Sequence, residues 1–241
     1  MKITVLTLFP EYFDGFLNTS IISRAREAGL FEFEALDFRP FTEQKHGHVD
    51  DSPYGGGAGM VLMCQPLLDA LESVRTKDST VILLSPQGTT FRQETARELA
   101  LKDHLIFICG HYEGFDERIR RHADIQLSLG DFVLTGGEPA AQVMCDAILR
   151  LLPGTIRDES SGGDSFSDGL LEYPQYTRPY DYKGETVPDI LLSGHHEKIR
   201  RWRRQESLRR TRSLRPDLLE TADLSESDVK FLESLAEEDG K

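Results

Sequence analysis

The chain has 241 residues, enough for one large domain or two smaller ones, and 39% of them are hydrophobic, enough to bury a core. No apolar run reaches the length of a membrane span, and the start, MKITVLTLFPEYF, lacks a signal-peptide cleavage pattern, so the reading is a soluble cytoplasmic protein with no membrane partner. A formal net charge of −13 argues against a generic nucleic-acid binder, yet residues 198–215 hold nine Lys/Arg and one acid, Glu206. That run reads either as a basic patch for a local anionic partner or as a charged helix face in water.

Residues 2–8 (KITVLTL) are β-branched and apolar and predict a buried strand, broken at Phe9-Pro10. Residues 11–16 and 20–28 predict helices, the second stopped by Gly29. Residues 31–38 (FEFEALDF) alternate apolar and acidic side chains, as a half-buried strand does, up to Pro40. Residues 42–60 are polar and glycine-rich, and 65–74 predict a helix with Pro66 in its first turn. A short buried strand is expected at 81–84, then a turn at Ser85-Pro86-Gln87-Gly88. Thr90 and Gln93 have capping-box spacing for a helix to about residue 102. Residues 104–109 predict a strand ending in Gly110-His111-Tyr112-Glu113-Gly114, 116–121 a helix, and 125–129 a strand ending in Gly130. A short apolar rung, Phe132-Val133-Leu134, precedes Gly136-Gly137, and Glu138-Pro139 opens a helix through residue 152.

Strands alternating with helices imply an α/β layer with a mostly parallel sheet. Ligands of such sheets bind in loops beyond the carboxyl ends of the strands. Three glycine-bearing loops fall there: 85–88, 110–114 and 130–137. Glycine lets backbone come close to a flat ligand, so this edge is the candidate site, centred on 127–140. Any one of the loops alone reads as an ordinary connection.

Composition shifts at Pro153. The expected organisation is an α/β domain over 1–153, a mobile Gly/Ser-rich linker over 154–172 and a small helical domain over 173–241. Within the last part, 173–188 is aromatic and proline-rich, and 195–211 is a basic helix carrying Ile199 and Trp202. Ser225 and Asp228 cap a final helix with Val229, Leu232 and Leu235 on one face.

No GxGxxG, P-loop, HExxH or nucleophile-elbow pattern occurs. The glycine cluster 55–59, after Asp50-Asp51-Ser52-Pro53-Tyr54, could cradle a phosphate or a base edge. His46, His48, Asp50 and Asp51 read as loop polar groups, since no second ligand pair accompanies them, and no metal site is expected. His111 and Glu113 suit either acid–base chemistry or holding their own loop. Arg150 is either a charge at a helix C-terminus or a group aimed into a site. Asp164 alone reads as a linker acid in water. Cys64, Cys109 and Cys145 are far apart with apolar neighbours, which predicts packing thiols and neither disulfide nor zinc.

Taken together, LFPE, VDDSPYGGGAGM, LSPQG, CGHYEGFDERI, LGDFVLTGGE, DSFSDGLLEYPQYTRP, VPDILLSGHHEKIRRWRRQESLRRT and RPDLL resemble, in order and spacing, the bacterial tRNA (guanine-N1)-methyltransferase family of the knotted methyltransferase superfamily. The resemblance implies S-adenosylmethionine as methyl donor and N1 of the guanosine at tRNA position 37 as acceptor. It also implies magnesium dependence, a homodimer with sites at its interface, and a deep trefoil knot, an exception to the usual connection rules. By resemblance the donor is held by Leu84, Ser85 and Pro86, by Gly110, Tyr112 and Glu113, and by Ser128, Leu129, Gly130, Asp131, Phe132, Val133, Leu134, Gly136 and Gly137. Asp164 is then the general base and Arg150 the group that stabilises the guanine O6. The tRNA is met by Tyr54, Gly55, Gly56 and Ser165 and by Arg200, Arg201, Arg203, Arg204, Arg209 and Arg210. Phe132, Glu172, Tyr173 and Gln175 depart from the residues frequent in the family, and Pro139 stands one position early. The competing readings are a ribose methyltransferase of the same superfamily, an ordinary doubly wound nucleotide enzyme and a non-catalytic RNA-binding protein. Product, donor binding and turnover respectively separate them.

Overall fold

The computed structural model describes residues 1–156 and 164–239, and the chain divides into two compact units, Met1–Arg157 and Asp158–Lys241. Residues 157–163 of the expected linker lie outside the described residues.

The first unit is built on a five-stranded sheet. β1 (Lys2–Thr7) is followed by a 3-10 turn, Pro10–Phe13, the short α1 (Asp14–Leu17) and α2 (Ser20–Glu27). β2 (Glu32–Asp37), the two-residue rungs β3 (Asp50–Asp51) and β4 (Val61–Leu62), and α3 (Cys64–Val74) come next. β5 (Ser79–Thr90), α4 (Gln93–Ala100), β6 (His104–Ile108), α5 (Glu117–Arg120), β7 (Ile125–Ser128) and α6 (Glu138–Leu149) complete it. The strand order is β2-β1-β6-β5-β7, and every neighbouring pair is parallel.

Central strands of parallel sheets are covered on both faces, so they read as continuous apolar runs. The period of two sorts their side chains. Ile3, Val5, Ile82, Leu84, Leu105 and Phe107 join Met144, Cys145, Ile148 and Leu149 of α6 in one buried cluster. Leu6, Val81, Leu83, Ile106 and Ile108 join Leu67 and Leu71 of α3 in the other.

Two expectations are corrected at β5. The turn at 85–88 does not end the strand. Leu127 of β7 is opposite Leu84 and again opposite Thr89, so residues 85–88 bulge out of a ladder that resumes at Thr89–Thr90. A Cβ at Gly88 would stand 2.5 Å from the Leu127 backbone nitrogen, which is why the chain returns through a glycine. Because Thr90 is held in the ladder, the Thr90–Gln93 capping box does not form. The α4 N-cap is Arg92, with no side-chain cap.

The second unit is described by itself. It has a hairpin, β8 (Asp181–Tyr182) with β9 (Glu185–Thr186), a 3-10 turn Asp189–Leu192, α7 (His196–Leu214), a 3-10 turn Pro216–Glu220 and α8 (Glu226–Asp239). The basic helix runs about a turn further than expected and stops at Pro216. Residues 168–172 pack along α7. The Leu171 N–H donates to Thr211 Oγ1 (2.9 Å), Arg210 Nη1 donates to the Glu172 carbonyl (3.0 Å), and Asp168 pairs with Arg204. The cap of α8 forms as read, with Asp228 N donating to Ser225 Oγ (3.2 Å) and Ser225 N to Asp228 Oδ2 (3.0 Å).

Candidate active site

Residues 85–88 bulge out of β5, the carboxyl ends of β6 and β7 release the other two predicted loops, and the three surround one cavity of about 250 Å³ at one edge of the sheet. Leu84, Ser85 and Pro86, then Gly110, Tyr112 and Glu113, and then Ser128, Leu129, Phe132, Val133, Leu134, Gly136 and Gly137 all line it. Gly130 and Asp131 belong to the third loop and are not among the lining residues. His111, Thr135 and Ala140, within the predicted stretches, also line it, as do Phe115 and Arg120, which lie outside them.

The third loop is seated on the second. Gly137 N donates to the Gly110 carbonyl (2.9 Å), and a Cβ at Gly137 would lie 2.7 Å from the Cys109 Cα. Close approach, rather than an unusual backbone angle, is what Gly137 supplies, since its φ is −79°. Tyr112 does hold an unusual angle, φ +58°, with its side chain exposed. A left-handed non-glycine residue costs roughly 1–2 kcal/mol, and such residues gather at functional sites.

Beneath the cavity lies a buried polar contact that joins β1, the loop after β6 and α6. Glu138 is 1% exposed. Thr7 Oγ1 donates to its Oε1 (2.6 Å), and His111 Nε2 lies 2.7 Å from its Oε2. Phe9 N donates to Thr7 Oγ1 (2.9 Å), and the Phe9 and His111 rings are 4.8 Å apart. At the first position of α6 the carboxylate also meets the positive end of the helix dipole. His111 therefore holds its own loop, one of the two roles the sequence allowed. The face of β1 gave a signal for Thr7, which continues the Ile3–Val5 side toward α6. Burial first, then the charge of Glu138 and the nearness of Cys145, push the Cys109 thiol well above its usual range. Burial and Asp146 do the same to Cys145.

The glycine-rich segment is tied to this edge. Gly55, Gly56, Gly57 and Gly59 all have positive φ, which only glycine adopts without strain. Gly59 packs against the Glu113 side chain, and Glu113 N donates to the Met60 carbonyl (3.0 Å). Tyr54 is fully exposed. Asp50 and Asp51 pair as β3 with β4, and among the described residues no group of three or more His, Cys, Asp or Glu could hold a metal ion.

Arg150 is the half-buried C-cap of α6. Asp164 and Ser165 are half-buried in the second unit. The Asp164 carbonyl accepts from Ser167 N (3.0 Å), and Ser165 Oγ accepts from Glu172 N (2.9 Å).

The arginines of α7 divide. Arg204 is bound to Asp168 and, through Nη2, to Asp228 (3.0 Å). Arg210 holds the Glu172 carbonyl, and Arg209 lies 3.5 Å from Glu206. Arg203 is exposed and stacked 4.8 Å over the Tyr173 ring. Lys198, Arg200 and Arg201 are exposed.

Fold and cavity define an α/β protein with a loop-lined cavity at one edge of a parallel sheet. A model of the family "tRNA (Guanine-1)-methyltransferase TrmD" matches residues 1–221. The chain is 55% identical to a tRNA (guanine-N(1)-)-methyltransferase of Halalkalibacterium halodurans, covering 100% of both chains. It is 57% identical to one of Streptococcus pyogenes serotype M3 (98% of this chain, 97% of the relative) and 55% identical to one of Clostridium perfringens (97% and 100%). The chain belongs to the tRNA (guanine-1)-methyltransferase family.

Proposed function

We propose that the protein transfers a methyl group from S-adenosylmethionine to N1 of the guanosine at position 37 of tRNA. Family membership along the chain carries the reading, and the meeting of the three loops around one cavity supports it. The cavity suits the donor. Leu84, Leu129, Leu134 and Ala140 offer apolar walls to an adenine, Gly110, Gly136 and Gly137 let Phe115, His111 and Cys109 close in against the loops that form those walls, and Glu113 with Arg120 offers opposite charges to a zwitterionic amino-acid end. When bound, S-adenosylmethionine supplies a methyl carbon already activated on a sulfonium.

The chain supplies the rest. Guanine N1 carries a proton near neutral pH and is a poor nucleophile until it is removed. Asp164 takes that proton, a contribution of roughly 10²–10⁴-fold. Arg150 holds the negative charge developing on O6. Lys198, Arg200, Arg201 and Arg203 meet phosphates, which position the tRNA without reading its sequence. Tyr54, Gly55, Gly56 and Ser165 meet the nucleotides beside the acceptor.

Two further parts belong to this reading. One is a trefoil knot, supported by the seating of Gly137 on Cys109 and Gly110. The other is a homodimer with its sites at the interface, supported by the exposed Phe132, Val133 and Val143. The protein is placed in the cytoplasm with its substrate. Magnesium enters through the resemblance alone; the described residues offer no cluster of three or more His, Cys, Asp or Glu for it.

The test is nucleoside mass spectrometry of a tRNA transcript incubated with labelled donor. Label in 1-methylguanosine at position 37, absent from a transcript with adenosine there, is expected. Ribose methylation, or none, would overturn the proposal.

A further inference from the structure

The second unit has its own cavity, of about 450 Å³, within the roughly 300–1,000 Å³ of small-ligand sites. Apart from Arg203, its walls have no part in the reading above. Tyr173, Tyr176 and Tyr180 line it together with Ile199 and Arg203 of α7 and with Arg178. The lining holds two guanidinium groups and no carboxylate, in a chain of net charge −13. Such an imbalance selects an anionic occupant.

The aromatic content narrows the class. Tyr176 and Tyr180 are each 48% exposed, so much of both rings is open to an incoming group. The Tyr180 hydroxyl donates to Asp189 Oδ1 (3.1 Å), which fixes that ring. Arg203 already lies flat-ring distance from Tyr173, 4.8 Å to the centroid. One turn earlier on α7, Arg200 is exposed and extends the positive charge away from the cavity. Tyrosine faces interleaved with guanidinium groups are what unstacked bases use, each base resting on a π face while cations follow the phosphates.

We infer that this cavity binds one unstacked nucleotide of single-stranded RNA, its base on the tyrosine faces and its phosphate toward Arg178 and Arg203. The inference rests on the tRNA reading above and adds to it a second contact, apart from the methylated base.

The test compares the wild-type protein with two double variants: Tyr176→Leu with Tyr180→Leu, which keeps apolar bulk without π faces, and Tyr176→Phe with Tyr180→Phe, which keeps the faces. Binding to a fluorescent single-stranded RNA oligonucleotide and to the tRNA transcript is measured by anisotropy, and folding by thermal melting. The leucine pair is expected to weaken both by about 10-fold or more, with the phenylalanine pair close to wild type. If the leucine pair melts early, Tyr176→Leu alone is read against Tyr176→Phe. Wild-type affinity in the leucine variant overturns the inference. So does a change of oligomeric state on sedimentation with RNA affinity intact, which would make the cavity an interface between copies. A protein that methylates tRNA yet binds indifferently to these changes loses only this inference. One whose RNA binding depends on the tyrosines but which never methylates loses only the proposed function.

Discussion

Glu138 keeps its carboxylate out of water because Thr7 and His111 each occupy one of its oxygens. In Glu138→Leu both partners lose that contact, and a buried group left unpaired costs roughly 1–3 kcal/mol. We expect a lower urea midpoint and weaker donor binding by calorimetry; an unchanged midpoint would mean that the contact is incidental. Asp164 is a different kind of acid. In the proposed chemistry its charge acts on a proton that arrives with the substrate, so Asp164→Asn should keep fold and donor affinity while single-turnover methylation falls by about 10²–10⁴-fold. Asp158, outside the described residues, is the control expected to lose little as asparagine. Asp168 is not a neutral control, because it is paired with Arg204. Legibility at this scale was uneven. Glycines and acids of the loops could be read as a cluster of candidates, but Thr7, His111 and Glu138 are 104 and 27 residues apart in turn, and only the folded sheet edge makes them neighbours.

At the scale of elements, α7 read as one basic face and folds as two. Arg204 is internal: its removal leaves the Asp228 carboxylate, 7% exposed, without its cation. Breaking a buried pair costs roughly 3–5 kcal/mol, and the 30% exposure of Arg204 puts the expected loss for Arg204→Ala at or below the low end. Arg200→Ala with Arg201→Ala should instead leave the melting temperature alone and flatten the salt dependence of tRNA binding by about two units of slope at most. A wild-type slope would assign these arginines to water. The same pair sets an acid response. Burial works against the Asp228 carboxylate, but the hydrogen bonds from Arg204 and Ser225 outweigh it and hold the carboxyl below its ordinary value. A folded-state value below the unfolded one, about 3.9, gives stability that is complete above that pH and lost as pH falls through the folded value. Between about pH 4 and pH 2, Asp228→Asn should therefore show a shallower fall in stability than wild type; parallel curves would refute the assignment. Sequence spacing found the Ser225–Asp228 cap because both partners are local. It misplaced the Thr90 cap because the ladder with Ser128, far along the chain, claims Thr90 first.

For the whole molecule, alternation of apolar strands and amphipathic helices was enough to read an α/β layer and the edge at which a ligand site should lie. The parallel sheet bears out the layer, and at that edge the three loops share one cavity. The strand order was not readable, since nothing local in β1, β5 or β6 says which lies in the middle. The division of the chain between 157 and 158 falls within the stretch where composition turns to glycine and serine. No described helix is long and apolar enough to cross a membrane.

The packing beneath the third loop gives the protein a built-in clock. Cys109 and Cys145 are fully shielded and held protonated, whereas Cys64 is half-exposed. Only the thiolate attacks an alkylating reagent, so Cys64 should react at once, and the other two only when the surrounding core opens. Gly137 rests directly on Cys109, so the pace at which Cys109 is trapped counts how often the third loop lifts from its seat. A bound donor that pins the loop should slow that count while leaving Cys64 as fast as before.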